Sequence, residues 1–486
     1  MDRRIRWLGV VLLLCFVVLF VQLNNIQILK ASSYANAPGN PRVVYERYSQ
    51  PRGVIESSDG QILAESVPSP HGIYRYQRVY PTGSLFSQVV GYLSYIYGAS
   101  GVEASYNRYL VAHTRPVRTI SDLLLSNRTE TDTVTLTLST RLQTLAQKEL
   151  AGRVGSVVVI DPATGAIRAM YSNPSFDPNP LASQDTNTER LAWLADNTPD
   201  SEGVPPLLAL AYQRSFPPGS TFKMVTSSAV YQRDPSLADK SYPVYTQIPL
   251  PDTNLTLHNY AYEACGGDIA QLLPPSCDTG FALIGLDLGA SRLAAQARAF
   301  GFDQVPPLDI PGAAASTFPP VSSFAQNLPF LAYSAIGQGD VSATALQMAL
   351  VASAIANGGL MMKPHVMKEI RSSQGSLVKT YQPTPWLKPI SASTAASVAK
   401  LMRTVVTHPN GTAYGLFPAS LDAAAKTGTA QTGTHHTDDW LAAFAPYTSP
   451  KVVVVVVVPD QSPNATGNSV AGPIISTMLQ AAVEGS

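Results

Sequence analysis

The sequence predicts a mixed α/β protein in three parts: an N-terminal membrane helix, a small β-rich domain, and a larger domain with a five-stranded, mainly antiparallel sheet between helical layers. Three observations support this. An uncharged apolar segment near the N-terminus is long enough to cross a bilayer. Short apolar segments separated by turns follow it. Five β-patterned segments then fall at the two ends of the remaining chain.

The apolar segment covers residues 7–29 and contains no charged residue. About 20 apolar residues span a bilayer as a helix. Arg3, Arg4 and Arg6 flank its start, so the positive-inside rule puts the N-terminus in the cytoplasm and the remaining chain outside. A cleaved signal peptide is the alternative, because Ala35-Asn-Ala37 is a possible cleavage site. A polar stretch separates that site from the apolar core, so a retained single-pass anchor in the cell membrane is favoured.

Residues 40–150 predict the small β-rich domain. Asp59-Gly60 is a strong turn signal between apolar segments. Residues 134–138 alternate like a strand, whereas residues 140–150 repeat their apolar side chains with a helical period.

Residues 152–486 predict the larger domain. Its middle, residues 221–407, is mostly helical in pattern, and residues 473–483 predict a closing helix. Seven consecutive valines, residues 452–458, have no polar face, so both faces of that strand must be covered. The five predicted strands are Ser156–Ile160, Ala166–Tyr171, Lys426–Gln431, Trp440–Phe444 and Lys451–Val458.

Composition narrows the possible functions. The chain is 45% hydrophobic and 14% charged, which suits a globular protein with large buried cores. Its formal net charge is zero, so nothing indicates nucleic-acid binding.

Three short motifs stand in one order: Ser220-Thr-Phe-Lys223, Ser276-Cys-Asp278 and Lys426-Thr-Gly428. The S-x-x-K pattern also occurs at Ser376 and Ser397, which we expect on ordinary helix or loop surface. Only the first copy follows a Pro-Pro-Gly sequence, which allows a sharp entry into a helix.

Each motif has a simple structural explanation when taken alone, such as a helix N-cap at Ser220 or a surface lysine at Lys426. Together they predict nucleophilic catalysis. Ser220 needs a base, and Lys223 lies three residues later on the same helical face, so we predict that it is the general base. Burial and the second cation, Lys426, would keep that amine neutral. Ser276 would relay a proton toward an amine.

The third motif predicts a binding strand. Thr427 and Thr429 can donate to a substrate carboxylate, and Lys426 adds charge attraction. Gly428 lets backbone or ligand come close because it has no side chain. The N–H groups of Ser220 and Thr429 would form an oxyanion hole.

The three cysteines divide between membrane and exterior. Cys15 lies in the apolar segment, while Cys265 and Cys277 would lie outside the cytoplasm, where disulfides persist. A bridge between them would close a short loop and contribute about 3 kcal/mol. Two free thiols are the alternative. His435-His436 lacks ligand spacing, so no metal site is predicted.

The three motifs resemble those of class B penicillin-binding proteins, which are D,D-transpeptidases, and in particular actinobacterial members linked to cell division. Further stretches share this resemblance: Arg52–Ile55, Gly101–Glu103, Asp161–Gly165, Ile336–Asp340, Thr344–Ala349 and Asn410–Ala413.

The resemblance implies a substrate, the D-Ala-D-Ala end of a peptidoglycan stem peptide. Ser220 would attack the penultimate carbonyl and expel D-Ala, and an amine of a neighbouring stem would take the acyl group. β-Lactams would acylate Ser220 instead. Residues 40–150 would be the non-catalytic pedestal domain, and residues 152–486 the transpeptidase domain.

The resemblance also implies partners. They are the cytoplasmic membrane, a SEDS-type glycosyltransferase and divisome proteins. The resemblance implies no metal or organic cofactor. The stretch before Arg52 is too short for a glycosyltransferase domain, so a bifunctional class A enzyme is not expected.

One residue departs from the family pattern. The middle motif usually ends in Asn, which both donates and accepts hydrogen bonds, whereas an ionised Asp278 only accepts. A carboxylate near Lys223 favours the charged amine and opposes its role as base. Either Asp278 is held away or protonated, or acylation is weakened; a further alternative is that Asp is a normal variant within one subgroup of the family. The alternatives are a catalytically weak divisome scaffold, a β-lactam sensor and a β-lactam-binding hydrolase.

Overall fold

Five antiparallel strands form the central sheet, as the sequence predicts. The computed structural model describes residues 3–29, 48–70, 72–113, 130–199, 203–433 and 436–485; the possible cleavage site at residues 35–37 and His435 lie outside them. The strand order is Ala424–Gln431, Thr437–Ala445, Val452–Gln461, Gly155–Ile160 and Ile167–Asn173.

Helices cover both faces of the central sheet, which explains how seven consecutive valines are tolerated. Residues 452–458 are fully buried. Gly467–Glu484 and Thr140–Leu150 pack on one face, and Ala345–Ala356 packs on the other. The remaining helices of at least eight residues are Arg3–Asn24, Thr186–Asp196, Lys223–Arg233, Asp278–Ala299, Leu328–Ala335 and Ala392–Thr407.

A second sheet has six strands and combines distant parts of the chain. Ile55–Glu56 and Asp132–Leu136 are parallel, whereas the other pairs are antiparallel. The strand order is Leu377–Thr380, Met367–Ser372, Asp132–Leu136, Ile55–Glu56, Ile62–Pro68 and Tyr76–Val79. Short helices interrupt the predicted strands and turns of this region: Ser87–Val90, Gly101–Ser105 and Asn107–Leu110.

Two expectations for the middle of the chain are wrong in detail. Leu377–Thr380, in the second S-x-x-K copy, is an exposed strand rather than helix or loop surface, whereas Ser397 does lie on a helix. The middle also contains short two-stranded sheets among its helices. They are Tyr242–Tyr245 with Cys265–Gly267, Gln247–Pro249 with Thr256–His258, and Met361–Met362 with Pro385–Leu387.

The N-terminal helix, Arg3–Asn24, buries none of its residues against the protein. The segment Arg3–Gln27 is long and apolar enough to cross a membrane. This is compatible with the predicted single-pass anchor.

Candidate active site

Ser220 lies on a 3₁₀ turn, Gly219–Phe222, that leads directly into the helix Lys223–Arg233. The turn is pressed against the motif strand, Ala424–Gln431. A Cβ atom added to Gly428 would lie 2.8 Å from the Pro218 carbonyl oxygen. Glycine is therefore needed at this position because the two backbones touch there.

Lys223 and Asp278 form an ion pair in which the amine is fully buried. Lys223 Nζ lies 2.6 Å from Asp278 Oδ1, and the Asp278 side chain is 22% exposed. The Ser220 hydroxyl donates to the same oxygen at 3.4 Å. No hydrogen bond joins Ser220 Oγ directly to Lys223 Nζ in the described part of the chain. Asp278 is thus not held away from Lys223; it contacts both members of the first motif.

Burial decides the protonation of the two lysines, because both are fully buried. Burial lowers the pKa of Lys223, and Asp278 only partly opposes this shift. Burial also lowers the pKa of Lys426 well below its ordinary value, and the positive charge of Lys223 lowers it further. Desolvation therefore outweighs the carboxylate in direction, so the pKa of Lys223 moves toward the neutral form that a base needs. The three acceptors around Lys223 Nζ in this geometry are those of the charged amine.

Ser276 lies between the two lysines. Its hydroxyl oxygen accepts from Lys426 Nζ at 2.8 Å and from Lys223 Nζ at 3.2 Å, and its carbonyl oxygen accepts from Lys223 Nζ at 2.7 Å. Two donors on one hydroxyl oxygen leave its own hydrogen available to a third partner. Its backbone is strained, with φ of +58°, as is common at functional sites.

A disulfide joins Cys265 to Cys277, the residue after Ser276, with their Cα atoms 5.9 Å apart. Cys265 begins a strand of the short sheet with Tyr242–Tyr245, and Cys277 immediately precedes the helix Asp278–Ala299. The bridge therefore ties the middle motif to the neighbouring hairpin.

The threonines of the third motif form a polar edge to the site. Thr427 Oγ1 lies 2.7 Å from Thr412 Oγ1, and Thr429 Oγ1 accepts from the backbone N–H of Gly467 at 2.9 Å. The N–H of Thr412 also donates to the Pro274 carbonyl oxygen, just before the middle motif. Sequence reasoning gave no role to Thr412 or Gly467. The Asn410–Ala413 stretch of the resemblance was the available signal for Thr412.

A cavity of about 1400 Å³ opens over these residues. Ser220, Ser276 and Asp278 lie on its wall, while the two lysines are buried behind them. The segment around the disulfide and the start of the C-terminal helix also line the cavity. Among the described residues, no group of three His, Cys, Asp or Glu side chains is placed to hold a metal ion.

Sequence profiles agree with this architecture. The profile of the penicillin binding protein transpeptidase domain matches residues 155–480, and that of the penicillin binding protein A dimerisation domain matches residues 52–134. The first match covers more than half of the chain. The chain therefore belongs to the class B penicillin-binding protein transpeptidases, and the resemblance found in the sequence is confirmed.

Its relatives include the peptidoglycan D,D-transpeptidases PbpA of Mycolicibacterium smegmatis, 35% identical, and Mycobacterium tuberculosis, 33% identical, each over the whole of both chains. The chain is also similar to two acyl-enzyme structures of penicillin-binding protein A from M. tuberculosis. The ceftriaxone complex has a TM-score of 0.81 at 30% identity, and the penicillin G complex 0.80 at 31%; each covers 90% of this chain and 100% of the other.

Proposed function

We propose that this protein is a peptidoglycan D,D-transpeptidase that cross-links stem peptides through an acyl-enzyme on Ser220. The observation that carries the proposal is the convergence of all three motifs on one cavity wall. Ser220 and Lys223 share Asp278 Oδ1, and both lysines donate to the Ser276 hydroxyl. The names and acyl-enzyme structures of the relatives support the same chemistry.

Acylation begins when neutral Lys223 takes the hydroxyl proton of Ser220. Asp278 holds the two groups together through one oxygen, while its charge limits how far the pKa of Lys223 can fall. Ser220 Oγ attacks the penultimate D-Ala carbonyl, and the N–H groups of Ser220 and Thr429 receive the oxyanion. The protonated Lys223 gives this proton to Ser276 Oγ, Ser276 gives its own hydroxyl proton to the departing amine, and D-Ala leaves.

The second half-reaction reverses these proton movements. The amine of a neighbouring stem attacks the ester, Ser276 takes its proton, and Ser220 is reprotonated as the new amide forms. Lys426, Thr427 and Thr429 hold the substrate's terminal carboxylate, because two hydroxyl donors and a nearby amine suit an anion. Penicillin enters by the same acylation route.

The proposal extends to location and partners. Residues 7–29 anchor the chain with its N-terminus in the cytoplasm, residues 40–150 form the pedestal, and residues 152–486 form an extracytoplasmic catalytic domain. The three arginines before the anchor and the profile matches support this division. A SEDS-type glycosyltransferase and divisome proteins are the proposed partners, with a role in division.

A transfer assay tests the proposed reaction. The full-length protein in detergent is incubated with a peptide ending in D-Ala-D-Ala and an acceptor amine, and released D-Ala and transfer product are measured. We expect a transfer product that is lost in Ser220→Ala. Ser376→Ala, at an exposed S-x-x-K copy, is the matched control and should retain activity. D-Ala release without transfer would indicate a hydrolase, and well-folded protein without D-Ala release would indicate a scaffold.

A further inference from the structure

A carboxylate that this mechanism does not use lies directly behind Thr429. Asp439 is on the adjacent strand, opposite Thr429 in the antiparallel register. Its side chain is fully buried, and neither carboxylate oxygen makes a hydrogen bond of ordinary geometry within the described ranges. A buried carboxylate whose nearest donors are two neutral hydroxyls, those of Thr437 and Thr429, is costly, so its presence beside a binding residue needs a physical explanation.

The hydroxyl of Thr429 has two directions in which to donate. Its oxygen already accepts from the N–H of Gly467, which begins the C-terminal helix. Its hydrogen can point into the cavity, whose wall includes Thr429, or inward to Asp439. Cβ atoms of directly opposed residues in an antiparallel pair are about 5 Å apart, so the inward direction is within reach.

We propose that Asp439 is a positioning residue whose protonation state decides whether Thr429 offers its hydroxyl hydrogen to the substrate carboxylate. This inference rests on the proposed function, in which Thr429 binds that carboxylate. Protonated Asp439 donates to Thr429 Oγ1, so the threonine hydrogen points into the cavity. Ionised Asp439 accepts that hydrogen and adds a negative charge behind the site, which repels the carboxylate.

The residues around Asp439 bring its ionisation near neutral pH. Burial raises the pKa of Asp439 to about 7; the Thr437 hydroxyl opposes the shift, Asp438 adds to it, and the Thr429 hydroxyl opposes it. The first turn of the C-terminal helix contributes no acidic residue. Among the described residues, the charged and titratable groups around this end of the sheet include Arg214, His436, Asp438 and Asp460.

The pH dependence of acylation by a fluorescent penicillin, which carries the corresponding carboxylate, tests the proposal. The sample is the full-length protein in detergent. The second-order rate constant of acylation by the fluorescent penicillin is measured from pH 5.5 to 9. In the wild type it should fall by at least about tenfold in total as the pH rises through about 7 and Asp439 ionises, and then level off. Asp439→Asn should abolish this fall, because the amide stays neutral and donates to Thr429 at every pH.

Asp438→Asn is the matched control. This variant replaces a carboxylate by an amide one residue away and should keep the fall in acylation rate. The fall should move to lower pH, because Asp438 raises the pKa of Asp439. Thr429→Val provides a second test if Asp439→Asn does not fold: it should be slower at acidic pH and show a smaller fall above pH 7, because only the repulsion by ionised Asp439 remains.

The possible outcomes separate this inference from the proposed function. A wild type without the fall, or an Asp439→Asn protein that retains it, would overturn the role of Asp439. The same applies if Thr429→Val retains the full fall of the wild type. Absence of labelling of folded wild type at every pH would instead overturn the proposed function, and this inference with it.

Discussion

The balance between one carboxylate and two buried amines sets the chemistry of the site at the scale of single residues. Asp278 contacts Lys223 at 2.6 Å and thereby favours its charged form, while burial favours the neutral form. The effect of burial is larger than that of Asp278, because the pKa of Lys223 is lowered overall. Asp in the middle motif is therefore compatible with a lysine base, although the two groups touch.

Replacing Asp278 by Asn should move the pH profile of penicillin acylation. Removing the carboxylate lowers the pKa of Lys223 further, so the neutral amine persists at lower pH and the acidic limb of the profile shifts to lower pH. The rate at neutral pH should stay within about tenfold of the wild type. A larger loss at every pH would mean that Asp278 itself takes the Ser220 proton.

The residue types of the site could be predicted from the sequence, but their contacts could not. The i, i+3 spacing indicated that Lys223 reaches Ser220, whereas both groups meet at Asp278 Oδ1. The spacing describes one helix, while the position of Asp278 depends on a loop more than fifty residues away. Asp439 precedes the predicted strand Trp440–Phe444 and drew no prediction, because burial of a carboxylate depends on the packing above it.

At the scale of elements, the site depends on two backbones in contact. The turn carrying Ser220 touches the motif strand at Gly428, which brings the nucleophile beside the proposed carboxylate-binding threonines. Some strands of the central sheet, such as the one containing residues 452–458, were predictable because unbroken apolar runs have few alternatives. The hairpin of residues 367–380 was not, because its strand pairing is with residues more than two hundred positions earlier.

Gly428→Ala should separate the turn from the strand. The new Cβ would lie 2.8 Å from the Pro218 carbonyl oxygen and 3.1 Å from the Thr221 nitrogen. Overpacking of this kind costs about 1–3 kcal/mol, and the penicillin acylation rate should fall at least about tenfold. Gly433→Ala in the same hairpin is the control, because its Cβ would meet no described residue within 4 Å. Equal acylation rates in the two variants would contradict this account.

The disulfide should stabilise the segment that carries Ser276. Its loop spans 12 positions, so opening it should cost about 3 kcal/mol of folding free energy and slow acylation. The measurement compares acylation rates with and without reductant. The double variant Cys265→Ala/Cys277→Ala controls for other effects, since its already reduced rate should not respond to reductant. A wild-type rate unaffected by reduction would show that the bridge does not hold the site.

At the scale of the whole molecule, the N-terminal region and the catalytic domain are joined by a common sheet and by a hydrogen bond. The hairpin of residues 367–380 extends the N-terminal sheet, and the Asp309 carboxylate accepts from the Tyr106 hydroxyl at 2.7 Å. Within the N-terminal region, buried Glu103 pairs with Arg52 and Arg78 at 2.5 and 2.6 Å. The family resemblance identified the stretches that contain Arg52 and Glu103. Their ion pair could not be predicted from the sequence, because it depends on how the chain folds.

Glu103→Gln should destabilise this region strongly, because it leaves two buried guanidinium groups without their counter-ion. The expected loss is about 3–5 kcal/mol in urea unfolding. Glu369→Gln, in an exposed pair with Arg371, should cost at most about 1 kcal/mol. Similar losses in both variants would contradict the proposed importance of the buried cluster.

The cluster of Glu103, Arg52 and Arg78 also predicts how the stability of this region changes with pH. Burial by itself would raise the pKa of Glu103, but the two arginines outweigh it and lower that pKa below its ordinary value of 4.5. The stability that Glu103 contributes is therefore present above about pH 4.5 and lost as the pH falls through its folded pKa.

Covalent labelling with a fluorescent penicillin, followed by a chase, tests the central claim most directly. Labelled full-length protein is digested and the modified peptide is identified by mass. The account predicts a slowly lost label on Ser220 that is absent from Ser220→Ala and present in Ser376→Ala. A label on another residue, or a label that persists in folded Ser220→Ala, would contradict it.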